Sequence, residues 1–209
     1  MKGSLFIVGF FVCGCLVGCL DIIPHDLLTR SDISSWVLYL LMFQVGMSVG
    51  SDKQLKQILA SVKPRIILVP IATITGTLLF SAMVGIFLSR WRVVDCMAVG
   101  SGFGYYSLSS ILITKLKEPT IGLQLASELG TIALLSNIFR ELFTLLGTPL
   151  LVKYFGRLAP ICVGGATTAD TTLPIITQYC GKDLVFISVF HGMLGDLTVP
   201  FFVSLFCSI

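Results

Sequence analysis

Four acids and one base stand inside long apolar stretches of this sequence: Glu128, Glu141, Asp170 and Asp196 against Arg140. A charge at the mid-depth of a membrane costs roughly 2.5 to 3.5 kcal/mol on insertion scales, so such groups must pair, protonate or face water. The surplus of carboxylates points to a cation as the bound species: a proton, Na⁺ or an organic ammonium.

Spacing sharpens this. Asn137, Glu141, Thr144 and Thr148 recur at i, i+4, i+7 and i+11, one polar stripe on a helix, with Ser136 and Arg140 beside it. That stripe should look into a cavity or a neighbouring helix; alternatively, Arg140 pairs with a carboxylate of a facing helix and locks the two together. Gln124, Glu128 and Thr131 form a separate short stripe, from which Glu128 either serves function or reaches interfacial water. Asp170 lies among Thr167, Thr168, Thr171 and Thr172, where hydroxyls and freed carbonyls can replace the hydration of an ammonium or Na⁺. His191 has the titration range of a proton relay, although a lone histidine on an apolar helix is more often a hydrogen-bonded core residue. Asp196 falls on a different face from His191 and is given no role. No metal or cofactor site is expected.

The elements that must hold these groups are membrane helices. The chain is 55% hydrophobic and 12% charged with mean hydropathy +0.96, whereas soluble domains are about 25% charged. A soluble enzyme, a nucleic-acid binder and a disordered chain are excluded. The seven cysteines lie in or beside apolar segments, are odd in number and form no CxxC pair, so they read as small buried hydrophobes. The N-terminal run lacks a convincing small-residue cleavage site and reads as a retained first span.

Seven segments follow: about Gly3 to Leu20, Ser34 to Gly50, Ile66 to Leu88, Cys96 to Thr114, Ile121 to Leu151, Ile161 to Tyr179 and Leu184 to Phe206. The fifth would measure about 46 Å as one helix against a core of about 30 Å, and so must tilt, kink near Gly130 or project. The fourth and sixth are interrupted by Gly100, Gly102, Gly104 and by Gly164, Gly165, Pro174. Backbone freed in this way is tolerated at membrane depth only against protein or a wet cavity. Segments four and five resemble six and seven at an offset of 64 or 65 residues, and paired broken segments are the best sequence pointer to a secondary transporter's site. The expected fold is therefore all-α and polytopic, with residues 1–90 as a scaffold and 91–209 as a core of two inverted repeats, about 94–152 and 158–209. Whether the broken segments cross or re-enter, the basic loops divide eight to five, so the positive-inside rule does not choose.

Four motifs carry a resemblance: SGFGYYSLSSILIT from Ser101 to Thr114, the Arg140-Glu141-Leu142 step, GATTADTTLP from Gly165 to Pro174, and His191-Gly192 followed by Pro200. Across nearly its whole length the chain resembles the LysO-type L-lysine exporter family. The resemblance implies export of lysine and its toxic analogues from the bacterial cytoplasm, in exchange for protons, across the inner membrane. Members of that family often carry a further N-terminal block of helices, so the expected partners, besides lipid, lysine and protons, are a second copy of the chain or a small membrane subunit. On this reading Glu141 and Asp170 alternate between protons and lysine's ammonium groups. Arg140 and Asn137 flank them, and Tyr105, Tyr106, Ser107, Thr168 and Thr171 shape the pocket. The rivals are an ion-coupled carrier of another small solute and a non-transporting subunit that completes a partner.

Overall fold

A computed structural model describes residues 64–209, with single helical, exposed positions at Leu16, Trp36, Leu40, Phe43 and Met47. The first two expected segments otherwise lie outside the described residues. Among the described residues every regular element is helical and none is a strand. In chain order they are α1 (Pro64–Phe87), α2 (Val93–Gly100), α3 (Tyr106–Ile121), α4 (Leu123–Phe155), α5 (Ala159–Gly164), a 3₁₀ turn (Gly165–Ala169), α6 (Leu173–Cys180), a second 3₁₀ turn (Lys182–Leu184) and α7 (Val185–Ser208). Among the described residues three stretches are long and apolar enough to cross a membrane: Ile66–Phe87, Leu123–Phe155 and Lys182–Ser208. Their outer faces expose large apolar side chains such as Phe80, Phe87, Phe139, Leu146 and Phe201, as a lipid-facing surface requires. Helix α4 has 33 residues, about 50 Å at 1.5 Å per residue, and runs unbroken through Gly130.

Contacts at their ends show that both broken segments double back. Asp95, in the first turn of α2, pairs with Lys117, near the end of α3, at 2.7 Å. A continuous helix would separate those residues by about 33 Å. The second broken segment behaves alike: Arg157, just before α5, donates through Nε to the Cys180 carbonyl at the end of α6 (2.5 Å) and pairs with Asp183. Each segment is thus a helical hairpin, and the glycines and hydroxyls that interrupt it form the tip.

The hairpins have their bases at opposite ends of α4. The first sits by the start of α4 and the end of α7, where Arg90 pairs with Glu128 (2.5 Å) and Arg92 Nη2 donates to the Ile209 carbonyl (3.3 Å). The second follows the end of α4 and precedes the start of α7. Their tips meet between these ends, where the Ala166 N–H donates to the Phe103 carbonyl at 2.8 Å. Gly165 is required there: its φ is +62°, and a Cβ would stand 2.0 Å from the Phe103 oxygen. Phe103 itself has φ +45°, a conformation disfavoured for a bulky residue, and is held by burial and an edge-to-face contact with Phe202 at 5.9 Å.

Two apolar clusters surround the second hairpin. Val189, Phe190 and Met193 of α7 pack with Ile66 and Leu173, and Ile161, Ile176 and Cys180 pack with Val69 and Val152. Cys96, Cys162, Cys180 and Cys207 are free thiols, half-buried or buried.

Candidate functional site

The predicted stripe on α4 is buried throughout: Asn137, Glu141, Thr144 and Thr148 all face protein. The two threonines return their hydroxyls to the carbonyls one turn back, Arg140 at 2.9 Å and Thr144 at 2.6 Å, which satisfies them within the helix. Asn137 holds the first hairpin's tip. Its Oδ1 accepts the Gly104 N–H at 2.7 Å, while Nδ2 donates to the Ala133 carbonyl at 2.8 Å and to Ser109 Oγ at 3.4 Å.

Arg140 differs from one expectation. It forms no ion pair with a carboxylate among the described residues, but donates through Nε to the Val163 carbonyl (2.6 Å) and through Nη2 to the Cys162 carbonyl (3.0 Å). Those carbonyls are freed where α5 ends at Gly164, so a half-buried guanidinium finds acceptors in backbone that the broken helix leaves open. One turn of α4 therefore grips both hairpins, one through an N–H and the other through C=O groups.

Asp170 closes the 3₁₀ turn at the second tip and is exposed. Its Oδ1 accepts the Thr171 N–H and the Thr171 hydroxyl, the latter at 3.1 Å. Glu141 and Tyr106 lie within electrostatic reach of this carboxylate, as do Asp196 and Tyr105. The structure thus brings together Glu141, Asp170, Tyr105, Tyr106 and Thr171 from the residues singled out by sequence, and adds Asp196. The ion pairs among the described residues use Asp95, Glu128 and Asp183, and none of them involves this acidic group.

Other expected members stand elsewhere. Thr168 is fully buried; its hydroxyl serves the Gly165 (2.7 Å) and Ser188 (2.9 Å) carbonyls, and Ser188 Oγ returns a bond to the Thr168 carbonyl (2.9 Å). It fastens the second hairpin to α7 and does not shape an open pocket. His191 is a core histidine, with Nε2 2.9 Å from Thr73 Oγ1 of α1 and Nδ1 3.4 Å from Thr168 Oγ1. Glu128 sits at the first hairpin's base in its exposed pair with Arg90, apart from the acidic group. Ser107 is half-buried in the first turn of α3, next to Tyr106. Asp196, given no role by its face relative to His191, stands within electrostatic reach of Asp170, one turn beyond Gly192 on α7.

A cleft of about 970 Å³ opens between α1, α2 and α4. Phe80, Val84 and Trp91 line its apolar part, and Asn137 and Arg140 stand in its wall, but Glu141, Asp170 and Asp196 do not.

Membrane-length helices, apolar outward, with two broken segments whose tips meet, define a helical membrane protein. The chain belongs to the family described as Lysine exporter LysO, whose profile matches residues 8–207. It is 30% identical over 206 residues to the lysine exporter LysO of Escherichia coli K12, covering 97% of this chain and 64% of that protein. It is also 30% identical over 174 residues to a candidate lysine exporter of Haemophilus influenzae, covering 83% of each. No solved structure matches it.

Proposed function

We propose that the chain exports L-lysine, with its toxic analogues, from the bacterial cytoplasm across the inner membrane in exchange for protons. The observation that carries this reading is the meeting of two hairpin tips beside Glu141 and Asp170, which lack a basic partner among the described residues. Lysine offers two ammonium groups and one carboxylate. Glu141 and Asp170 take the ammonium groups in one state and protons in the other; each cation lowers the repulsion between the two acids, and neither state leaves them bare in an apolar bundle. The hydroxyls of Tyr105, Tyr106, Ser107 and Thr171 surround the cargo, and the N-terminus of α3, which begins at Tyr106, receives its carboxylate.

In this proposal residues 94–152 and 158–209 are inverted repeats, each a hairpin followed by a membrane-length helix, and residues 1–90 are scaffold. The repeats alternate access to the site from the two sides of the membrane. A second copy, or a small subunit supplying further helices, completes the assembly. Counterflow of labelled L-lysine in proteoliposomes, with an imposed pH gradient, tests this. Uptake that Glu141→Gln or Asp170→Asn abolishes supports it; robust lysine flux in both variants overturns the assignment. Na⁺ dependence with indifference to lysine would favour another solute, and a chain that only stabilises a partner would favour a subunit role.

A further inference from the structure

The cleft between α1, α2 and α4 lies apart from the acidic group and has walls of its own. Gly76, Phe80, Val84 and Leu88 recur every fourth residue along α1 and just past its end, so one face of that helix forms a wall. Leu129, Ile132, Ser136 and Arg140 recur at i, i+3, i+7 and i+11 and form the facing wall on α4. Polar groups at the deep end are engaged within the protein: Arg140 with the Cys162 and Val163 carbonyls, Asn137 with the Gly104 N–H, and Thr73 with the Val69 carbonyl (3.0 Å). What the cleft offers a guest is therefore mainly apolar, and Phe80 and Val84 are 69% and 53% exposed.

Length and charge say what that guest is. From Leu129 to Arg140 the wall runs eleven residue steps, about 16 Å at 1.5 Å per residue, or about half of a hydrocarbon core of about 30 Å: the depth of one leaflet. Trp91, half-buried in the lining, marks the shallow end, and the exposed Arg90 and Arg92 flank it in sequence. Arg90 lies over the Trp91 ring at 5.6 Å and pairs with Glu128, the residue before Leu129. Arg92 donates to the Ile209 carbonyl and takes part in no ion pair among the described residues. Two arginines against one glutamate leave a positive charge at the mouth. Indole rings gather where membrane meets water, and basic groups at that level hold anionic head groups.

We propose that the cleft is a binding site for an anionic phospholipid, with one acyl chain lying between α1 and α4 and the phosphate held by Arg92 and Arg90. The chain covers the turn of α4 that carries Asn137 and Arg140, and keeps water from the bonds by which that turn grips both hairpin tips. This site is separate from Glu141 and Asp170 and does not depend on what the protein carries.

The chain has two tryptophans, so Trp36→Phe leaves Trp91 as the sole indole reporter in the full chain. This parent is placed in vesicles of phosphatidylglycerol and phosphatidylcholine at fixed composition, with bromine on the acyl chains of one lipid or the other; bromine quenches indole fluorescence on contact. Trp91 is expected to be quenched as if brominated phosphatidylglycerol were about fivefold enriched beside it. Arg92→Ala should bring that enrichment close to parity, and Arg92→Lys should keep it. Gly76 lies in the wall with no neighbouring side chain or element within 4 Å of the place its Cβ would take, so Gly76→Phe projects a ring into open space. It should abolish the enrichment with both arginines in place. Equal quenching by the two lipids in the parent overturns the proposal. So does an enrichment that survives Gly76→Phe, which would be attraction of head groups to surface arginines alone. Absence of quenching by either lipid overturns it too, because the cleft would then be closed by protein, whether a segment preceding Pro64 or a second copy of the chain.

Discussion

The two hairpins are alike in plan and unlike in how they are held. Each is closed at its base by a cation–aspartate pair, but Lys117 and Asp95 are 3% and 5% exposed, whereas Arg157 and Asp183 are 51% and 65% exposed. The first tip, Ser101 to Gly104, is buried throughout; the second buries Gly165 to Thr168 and then opens at Asp170. Ionisable chemistry thus sits on the hairpin with the solvated clamp. A clamp in water gives little resistance to opening, and local opening draws on the least secured elements. Under the proposed export function, the difference makes the first hairpin the frame and the second the part that would respond to cargo.

Cutting the buried clamp should have the largest effect. Asp95→Asn leaves the Lys117 ammonium buried without its counter-charge and leaves a single amide oxygen where two carboxylate oxygens served Lys117 and the Arg92 N–H (3.2 Å). A loss of about 3–5 kcal/mol is expected, read as a large fall in the thermal midpoint of the purified protein in detergent. The paired change Asp95→Leu with Lys117→Met should recover most of that loss, because the cost comes from an orphaned charge. A single variant as stable as the parent would erase the contrast between the hairpins.

Next is the contact between tips. Gly165→Ala places a methyl group against the Phe103 carbonyl at a positive φ, and about 1–3 kcal/mol of strain is expected. Because strain at this point separates the tips, lysine counterflow should fall more steeply than the thermal midpoint. Proportionate loss of both would make the contact merely structural.

Much of this was legible in sequence, for identifiable reasons. The membrane helices follow from apolar runs, and the polar stripe of α4 from a period that any helix imposes on side chains. Broken segments were visible because glycine and proline interrupt those runs. Their reversal was not, since lysines and arginines divide equally under either path; only the Asp95–Lys117 and Arg157–Cys180 contacts, far apart in sequence, distinguish a hairpin from a crossing. Pairing of Arg140 with a carboxylate is the alternative that charge alone suggests, whereas the carbonyls freed at the end of α5 are acceptors that composition does not reveal. Thr168 was read as pocket-forming from its neighbours, although the reciprocal bonds with Ser188 turn it into a fastening. Asp196 needed the register of α7 against the second tip, which no single-chain pattern supplies.

Asn137 gives a test of intermediate size on the frame side. Asn137→Ala removes the acceptor of the Gly104 N–H within a buried tip, at an expected cost of about 1–3 kcal/mol, because an unsatisfied donor there has no water to turn to. Native-state hydrogen exchange should show faster exchange at Gly104 and its neighbours, with the second hairpin little changed. Equal acceleration in both hairpins would mean that α4 couples them as one unit.

The smallest effect belongs to the solvated clamp. Arg157→Ala removes the pair with Asp183, which can turn to water, and the bond to the part-buried Cys180 carbonyl, so a loss of about 1 kcal/mol is expected. Salt screens an exposed pair, so raising the ionic strength should lower the parent protein's stability toward that of Arg157→Ala while leaving the Asp95–Lys117 contribution nearly intact. If Arg157→Ala instead matched Asp95→Asn in cost, the second hairpin would be as firmly anchored as the first. Asp170 would then sit on a rigid tip, and alternating access would have to come from displacement of the whole unit.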